Sequence, residues 1–265
     1  MPRKKINGTM LHYEESGTGP ETVIFAHGLL WNNRLFDSQV AMLKDHFRCI
    51  TFDFRGQGQS AVAESGYDMD TLTDDVVALI ESTNSFPCHF IGLSMGGMIG
   101  MRLAIRHPEL LKSLVLIGTS ADSEPKENLG RYARLNFIAR WFGFGLIAKQ
   151  VMPIMFGQKF LKDPARIQQR NEWHQHLMAN HRMGATRAVK GVIARAAVYE
   201  QLDRITIPTL IMVGDQDVAT SLVKSERMHA RIQGSQLRII SGAGHTATIE
   251  EPESINIALK TFLLG

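Results

Sequence analysis

Apolar and polar positions follow two periods along the chain. Short continuous apolar runs at 23–26, 48–52, 89–93, 114–117, 209–213 and 237–240 read as strands buried on both faces. Between them lie segments of helical spacing at 35–43, 69–83, 95–107, 222–232 and 252–264; in the second, Leu72, Val76, Leu79 and Ile80 share one face. Residues 6–14 and 21–27 read as the first two strands, separated by the turn Gly17-Thr18-Gly19-Pro20. Strand–helix alternation with right-handed crossovers predicts a mostly parallel sheet with helices on both faces. The alternation stops from Pro125 to Glu200, where only helical patterns occur, rich in aromatics and methionines. The pattern therefore divides the chain into a core, 1–120 and 201–265, and an inserted helical cap, 121–200. Such a cap lies over the sheet's carboxyl edge, where open α/β sheets bind ligands.

Composition narrows the class. With 265 residues, 44% of them hydrophobic, the chain can bury a large single core. A net charge of +3 gives no argument for a nucleic-acid partner, and no apolar stretch is long enough for integral membrane association. The basic start, Met1-Pro2-Arg3-Lys4-Lys5, lacks the apolar region of a signal peptide. Cys49 and Cys88 fall in or beside strand-like runs and read as buried free thiols, which suits a reducing compartment. The expectation is a soluble cytoplasmic protein, monomer or homodimer. Charge is unevenly spread: residues 125–200 hold 13 Lys/Arg against 4 Asp/Glu, net +9, and the remainder nets −6. That excess reads either as solvated outer helix faces or as a field drawing anionic substrates or acidic partners toward the cleft.

The stretch Gly92-Leu93-Ser94-Met95-Gly96-Gly97 joins a buried strand to a helix. A strand that turns at once into a helix strains the serine backbone, and side chains at the flanking positions would collide, so glycine is needed there. Serine is a poor nucleophile unless a base takes its proton, and the base needs an orienting carboxylate. Both occur downstream at strand ends: Gly214-Asp215-Gln216-Asp217, then Ser241-Gly242-Ala243-Gly244-His245. Glycines at 242 and 244 suit a loop that aims an imidazole. Asp217 is favoured over Asp215 as the acid because its longer reach off the strand lets it curl toward the histidine; Asp215 then reads as a turn residue bonding its own backbone. Asp53 is the outside candidate. His12, His46, His107 and His229 read as surface or helix-end residues, and no histidine pair has metal-ligand spacing.

These motifs, with His27-Gly28-Leu29 and the loop Asp53 to Ser60, resemble the α/β-hydrolase superfamily, above all its esterase and enol-lactonase-like members. The resemblance implies a mostly parallel eight-stranded α/β sheet, with Ser94 as nucleophile, His245 as general base and Asp217 as orienting acid. It also implies an oxyanion hole from the backbone N–H groups of Leu29 and Met95, and no metal or other cofactor. Two positions depart from the family pattern. Gln57 stands where many relatives carry a histidine, which changes loop packing rather than chemistry, and Ser221 stands where relatives often place a proline. The serine at the elbow disfavours relatives that use an aspartate nucleophile. The implied substrate is a small-molecule carboxylic ester or lactone. Acyl-homoserine lactone cleavage, carbon–carbon bond hydrolysis, a cofactor-free perhydrolase and a ligand receptor on the same scaffold are the alternatives. Candidate substrate contacts are Trp141, Phe142 and Met155, together with Trp31, for which a buried structural role is equally open.

Overall fold

The computed structural model describes residues 3–265, so Met1 and Pro2 of the basic start lie outside the described residues. Eight strands form one sheet: β1 (Arg3–Ile6), β2 (Thr9–Ser16), β3 (Thr22–Ala26), β4 (Arg48–Phe52), β5 (Cys88–Leu93), β6 (Leu111–Ile117), β7 (Thr209–Gly214) and β8 (Gln236–Ile240). Their order is β1-β2-β4-β3-β5-β6-β7-β8, antiparallel at β1/β2 and β2/β4 and parallel elsewhere. This is the mostly parallel eight-stranded sheet that the resemblance implies. The continuous apolar runs have a direct cause, because successive residues of each strand enter opposite cores. Val23, Phe25, Ile91, Leu93, Val115 and Ile117 join one cluster, whereas Ile24, Ala26, Phe90, Leu114 and Leu116 join the other. Helices α1 (Asp37–Leu43) and, near the C-terminus, α11 (Pro252–Leu264) cover the first cluster; α2 (Met69–Ser82), α3 (Met95–Arg106) and α9 (Leu222–Arg231) cover the second.

Between β6 and β7 the chain leaves the sheet and forms α4 (Lys126–Phe142), α5 (Ala148–Met155), α6 (Gln158–Lys162), α7 (Ile167–Met178) and α8 (Arg182–Ile193). Apolar side chains of this insertion, among them Leu135, Ala139, Val151, Trp173 and Leu177, join the first cluster. A last short helix, α10 (Ala247–Glu250), precedes α11. Among the described residues no helix is long and apolar enough to cross a membrane.

Three details depart from the sequence reading. The strand expected at 6–14 is a hairpin, with Asn7 and Gly8 at φ 43° and 77° turning β1 onto β2. Asn-Gly is the strongest two-residue hairpin signal, because both positions tolerate positive φ. The segment 35–43 opens with a 3₁₀ turn, Asn33–Phe36, ahead of α1. His12 is fully buried rather than superficial, its Nε2 bonded to Glu14 at 3.1 Å and Gln59 at 3.2 Å. Cys49 and Cys88 are free and buried, and burial pushes both thiols up to about 12.

The loop after β4 is pinned by a buried ion pair. Arg55 Nε donates to Asp75 Oδ2 at 2.6 Å, with the two side chains 6% and 0% exposed, and Asn7 Nδ2 donates to Asp75 Oδ1 at 2.9 Å. One carboxylate thus joins the β1–β2 turn, the β4 loop and α2. Replacing Asp75 by alanine leaves the guanidinium buried without its counter-charge. We expect a loss of about 3–5 kcal/mol in chemical unfolding; a loss below about 1 kcal/mol would show that water reaches Arg55.

Candidate active site

Ser94 occupies the corner between β5 and α3 at φ 53°, ψ −112°. A positive φ in a residue with a Cβ is strained, so the surroundings must impose it. The Ser94 N–H donates to Ile117 O at 2.9 Å, and its C=O accepts from Met98 N at 3.0 Å and Thr119 Oγ1 at 2.7 Å. The flanking glycines are required for a different reason from the one expected. A Cβ on Gly92 would lie 2.4 Å from the carbonyl carbon of Gly96, and one on Gly96 would lie 2.0 Å from Ala26 O. The collision is with backbone, because the first turn of α3 rests directly on β5 and β3.

The structure brings Ser94, His245 and Asp217 into one chain of contacts. Ser94 Oγ lies 2.9 Å from His245 Nε2, and His245 Nδ1 lies 2.9 Å from Asp217 Oδ2. Asp217 is further held by the N–H groups of Ala219 and Thr220, both at 2.8 Å on Oδ1, and by Thr220 Oγ1 at 2.8 Å on Oδ2. Burial alone would raise its carboxyl, but His245 and the Thr220 donors outweigh burial and hold it at about 2. Burial likewise disfavours a charged His245, yet Asp217 overrides it and raises the imidazole above its ordinary value. Asp215 is not part of this chain. Its Oδ1 accepts from Gly242 N at 2.8 Å, so it braces the loop before His245 instead of bonding its own backbone. Asp53 is also elsewhere, accepting from Asn33 N and Gln59 N at 2.8 Å each.

The loop after β3 is fixed from several sides. His27 Nε2 accepts from Phe54 N at 3.0 Å, so its proton sits on Nδ1, which donates to Gly28 O at 2.8 Å. Burial depresses its pKa and keeps this neutral form. Gln57 Oε1 accepts from Leu30 N at 2.7 Å, and Asn180 Nδ2, from between α7 and α8, donates to Leu30 O at 2.8 Å. Leu30 is thereby held at φ 70°. Among the described residues the neighbouring Leu29 N–H has no hydrogen-bond partner, and neither does Met95 N–H at the start of α3.

Two residues that the sequence reading passed over support this arrangement. Thr220 is one. Glu250 is the other: fully buried, it accepts from Gly157 N at 2.7 Å, Gly244 N at 2.9 Å and Thr246 N at 3.1 Å. It therefore grips both neighbours of His245 and one residue of the insertion. Burial outweighs the three N–H donors and His245, and pushes its carboxyl up to about 7. No sequence signal singled it out, since Glu251 and Glu253 stand beside it.

Ser94 and His245 open into a cavity of about 910 Å³, including its mouth, between the sheet edge and the insertion. Met155 lies on its wall with Leu29, Leu135, Ile147 and Val189. The three aromatic candidates do not. Trp31 is 1% exposed, its ring 5.2 Å from Trp173 and 5.8 Å from Phe156, and so belongs to the core. Trp141 and Phe142 are 64% and 61% exposed. The stripe of α4 that faces the cavity is Tyr132, Leu135, Asn136 and Ala139, and it ends before them. The insertion's basic residues also point elsewhere. Among the described residues Arg195 is the only Lys or Arg on the wall, whereas Lys126, Arg131, Arg134, Lys149, Lys162 and Lys190 are exposed.

A family model described as the alpha/beta hydrolase fold matches residues 21–252. The 3-oxoadipate enol-lactonase 1 of Acinetobacter baylyi is 31% identical over 238 residues, covering 89% of this chain and 86% of that protein. The structure of the enol-lactonase from Burkholderia xenovorans superposes with a TM-score of 0.93 at 25% identity, covering 100% of both chains. That of a thermophilic esterase from Thermogutta terrifontis gives 0.92 at 27% identity, covering 100% of this chain and 98% of the esterase.

The raised Glu250 pKa has a definite sign in stability. The folded form binds the proton more tightly than the unfolded chain, so this group's stabilising share is complete below the ordinary value of 4.5 and is lost as pH rises through about 7. Gln does not titrate. The stability of the wild type relative to Glu250→Gln should therefore fall by roughly 2–3 kcal/mol between about pH 5 and pH 8 in paired calorimetry. A difference that stays constant with pH would show that Glu250 ionises normally.

Proposed function

This chain belongs to the alpha/beta hydrolase family, as a hydrolase acting on ester bonds, and from that premise we propose that it cleaves a carboxylic ester or lactone through an acyl-enzyme on Ser94. The observation that carries the reading is the pair of 2.9 Å contacts running Ser94 Oγ, His245 and Asp217. Asp217 holds the Nδ1 proton of His245, which leaves Nε2 free to take the proton of Ser94. Ser94 Oγ attacks the carbonyl carbon, and the carbonyl π electrons move to oxygen. The N–H groups of Leu29 and Met95, which engage no acceptor among the described residues, receive that oxyanion. The tetrahedral intermediate collapses, His245 protonates the departing alkoxide, and the acyl group stays on Ser94. A lactone leaves its hydroxyl on the same molecule. Water, deprotonated by His245, then attacks the acyl-serine and the cycle closes. In this reading residues 121–200 form a cap that closes the cavity over the carbonyl and excludes bulk water.

Gripping Leu30 through both its N–H and its C=O fixes the Leu29 amide before substrate arrives. Two donors aimed in advance at developing charge contribute a few kcal/mol to lowering the barrier. Gln57 supplies one half of that grip, so its departure from the family pattern bears on the hole itself.

Turnover of p-nitrophenyl butyrate is the direct test. Ser94→Ala should lower kcat by about 10⁴-fold or more, Asp217→Asn by about 10³- to 10⁴-fold, and Asp215→Asn by less than about tenfold. Turnover that survives Ser94→Ala, or equal losses at the two aspartates, would overturn the assignment. The pH profile gives a second test. The base works only when unprotonated, and Asp217 raises His245 above 6.5. The acid limb of kcat/KM should thus have its midpoint above pH 6.5 in the wild type. In Asp217→Asn burial remains without the counter-charge, so the midpoint of the residual activity should drop below that of the wild type.

A further inference from the structure

From Asn128 to Lys162 the chain holds no Asp or Glu, yet it holds six basic residues: Arg131, Arg134, Arg140, Lys149, Lys159 and Lys162. Among the described residues only Lys159 of this set forms an ion pair, with Glu251 at 2.6 Å. An ordinary solvated face mixes charges of both signs, and this one does not.

Helix α4 uses its two sides differently. Tyr132, Leu135, Asn136 and Ala139 line the cavity. Arg134, Phe137 and Trp141, at i, i+3 and i+7, form a stripe on the outer side, where Phe137 is 59% and Trp141 64% exposed. The stripe continues past the end of the helix. Phe142, Leu146 and Met178 are exposed as well, and they line a surface hollow together with Gly143, Gly145 and Arg182. Cations stand beside the aromatic rings: the Arg140 guanidinium lies 5.7 Å from the centre of a Trp141 ring, and Arg182 Nη1 lies 3.5 Å from Trp141 O. Large apolar side chains gathered on the outside of one element mark a surface that binds something.

We propose that this face docks peripherally on an anionic lipid bilayer. Trp141, Phe142 and Leu146 enter the headgroup layer, where an indole meets apolar and polar surroundings at once. Arg134, Arg140 and Arg182 meet the lipid phosphates, and the remaining cations of the insertion add to the attraction. Charge selects this occupant over a second copy of the chain. A two-fold contact through this face would set Arg134 and Arg140 against their own equivalents. Binding rests on a few inserted rings and a field of unpaired cations, so it is reversible and salt-sensitive. Docking does not depend on the chemistry at Ser94.

The test is flotation with vesicles of phosphatidylcholine, with and without phosphatidylglycerol, at low and high salt. Phosphatidylglycerol should raise the partition coefficient by about tenfold or more at low salt, and high salt should remove most of that gain. Trp31 and Trp173 are buried, so a blue shift of tryptophan emission on the anionic vesicles reports on Trp141. Trp141→Ser with Phe142→Ser should lower partitioning by about tenfold or more, and Arg134→Glu with Arg140→Glu should abolish the preference for phosphatidylglycerol. Circular dichroism checks the fold of each variant, and Trp141→Ser alone replaces the first pair if that pair does not fold. Ser94→Ala should float as the wild type does. Failure to float with anionic vesicles, flotation without the emission shift, or flotation that survives the surface variants overturns the proposal. So does flotation lost in Ser94→Ala, which would place the lipid in the cavity instead. A dimer in sedimentation that Trp141→Ser with Phe142→Ser dissociates, without vesicle binding, gives the face to a second copy and overturns it too.

Discussion

A serine held at positive φ by backbone lying against backbone is the constraint on which the remaining structure depends. Such a conformation costs on the order of 1–3 kcal/mol and survives only where its surroundings over-determine it. Here the surroundings are two fully buried strands of the sheet, β3 and β5, and a helix that starts on top of them. The hydrogens of Gly92 and Gly96 let α3 come close enough to rest on the carbonyl of Ala26. That contact has chemical consequences. It sets the first N–H of α3 free, stands the serine side chain away from its own backbone, and points both toward the carboxyl edge. The doubly apolar sheet is what makes the strain tolerable.

Two buried carboxylates lie near the same imidazole, and their environments drive them in opposite directions. Asp217 receives two N–H groups, a hydroxyl and the imidazole itself, and stays ionised down to about 2. Glu250 receives three backbone N–H groups, but burial prevails and it titrates at about 7. The first sets the charge state of His245, and the second sets where the loop carrying His245 sits. Residue type alone would not have separated these tasks; the hydroxyl of Thr220 and the difference in desolvation do.

Local rules carried the reading a long way. The runs at 48–52 and 252–264 coincide with β4 and α11, since a doubly buried strand and a helix opened by proline need only neighbouring residues to declare themselves. The serine, the histidine and the favoured aspartate meet because each ends a parallel strand, and strand ends gather on one edge. What escaped was non-local. The hydroxyl of Thr220 bonds Asp217 three residues back but also lies 3.2 Å from His245 Nδ1, 25 residues on, and Glu250 matters through a glycine 93 positions away. His12 was misjudged because a polar side chain in a strand betrays nothing of the Glu14 and Gln59 waiting beside it. Trp141 and Phe142 were named for their size, but which face of α4 turns inward depends on how the helix is hung, not on how apolar its residues are.

The insertion is fastened to the sheet domain largely through backbone and faces the cavity with side chains. Met155 O accepts from Thr246, Gly157 N bonds Glu250, and Gly184 and Gly191 of α8 lie directly against Gly56 and Tyr67, while Asn180 holds Leu30 and Arg187 donates to Ala63 O. The wall is drawn largely from α4 and α8, through Tyr132, Leu135, Asn136, Val189 and Val192. The wall-facing side chains of those two helices can change from one descendant of this sequence to another while the fastenings, and the reactive groups beneath them, stay in register. Heritable variation in what is bound is thereby insulated from variation in what is done to it. A lineage built on this plan can take up a new compound without first giving up its chemistry.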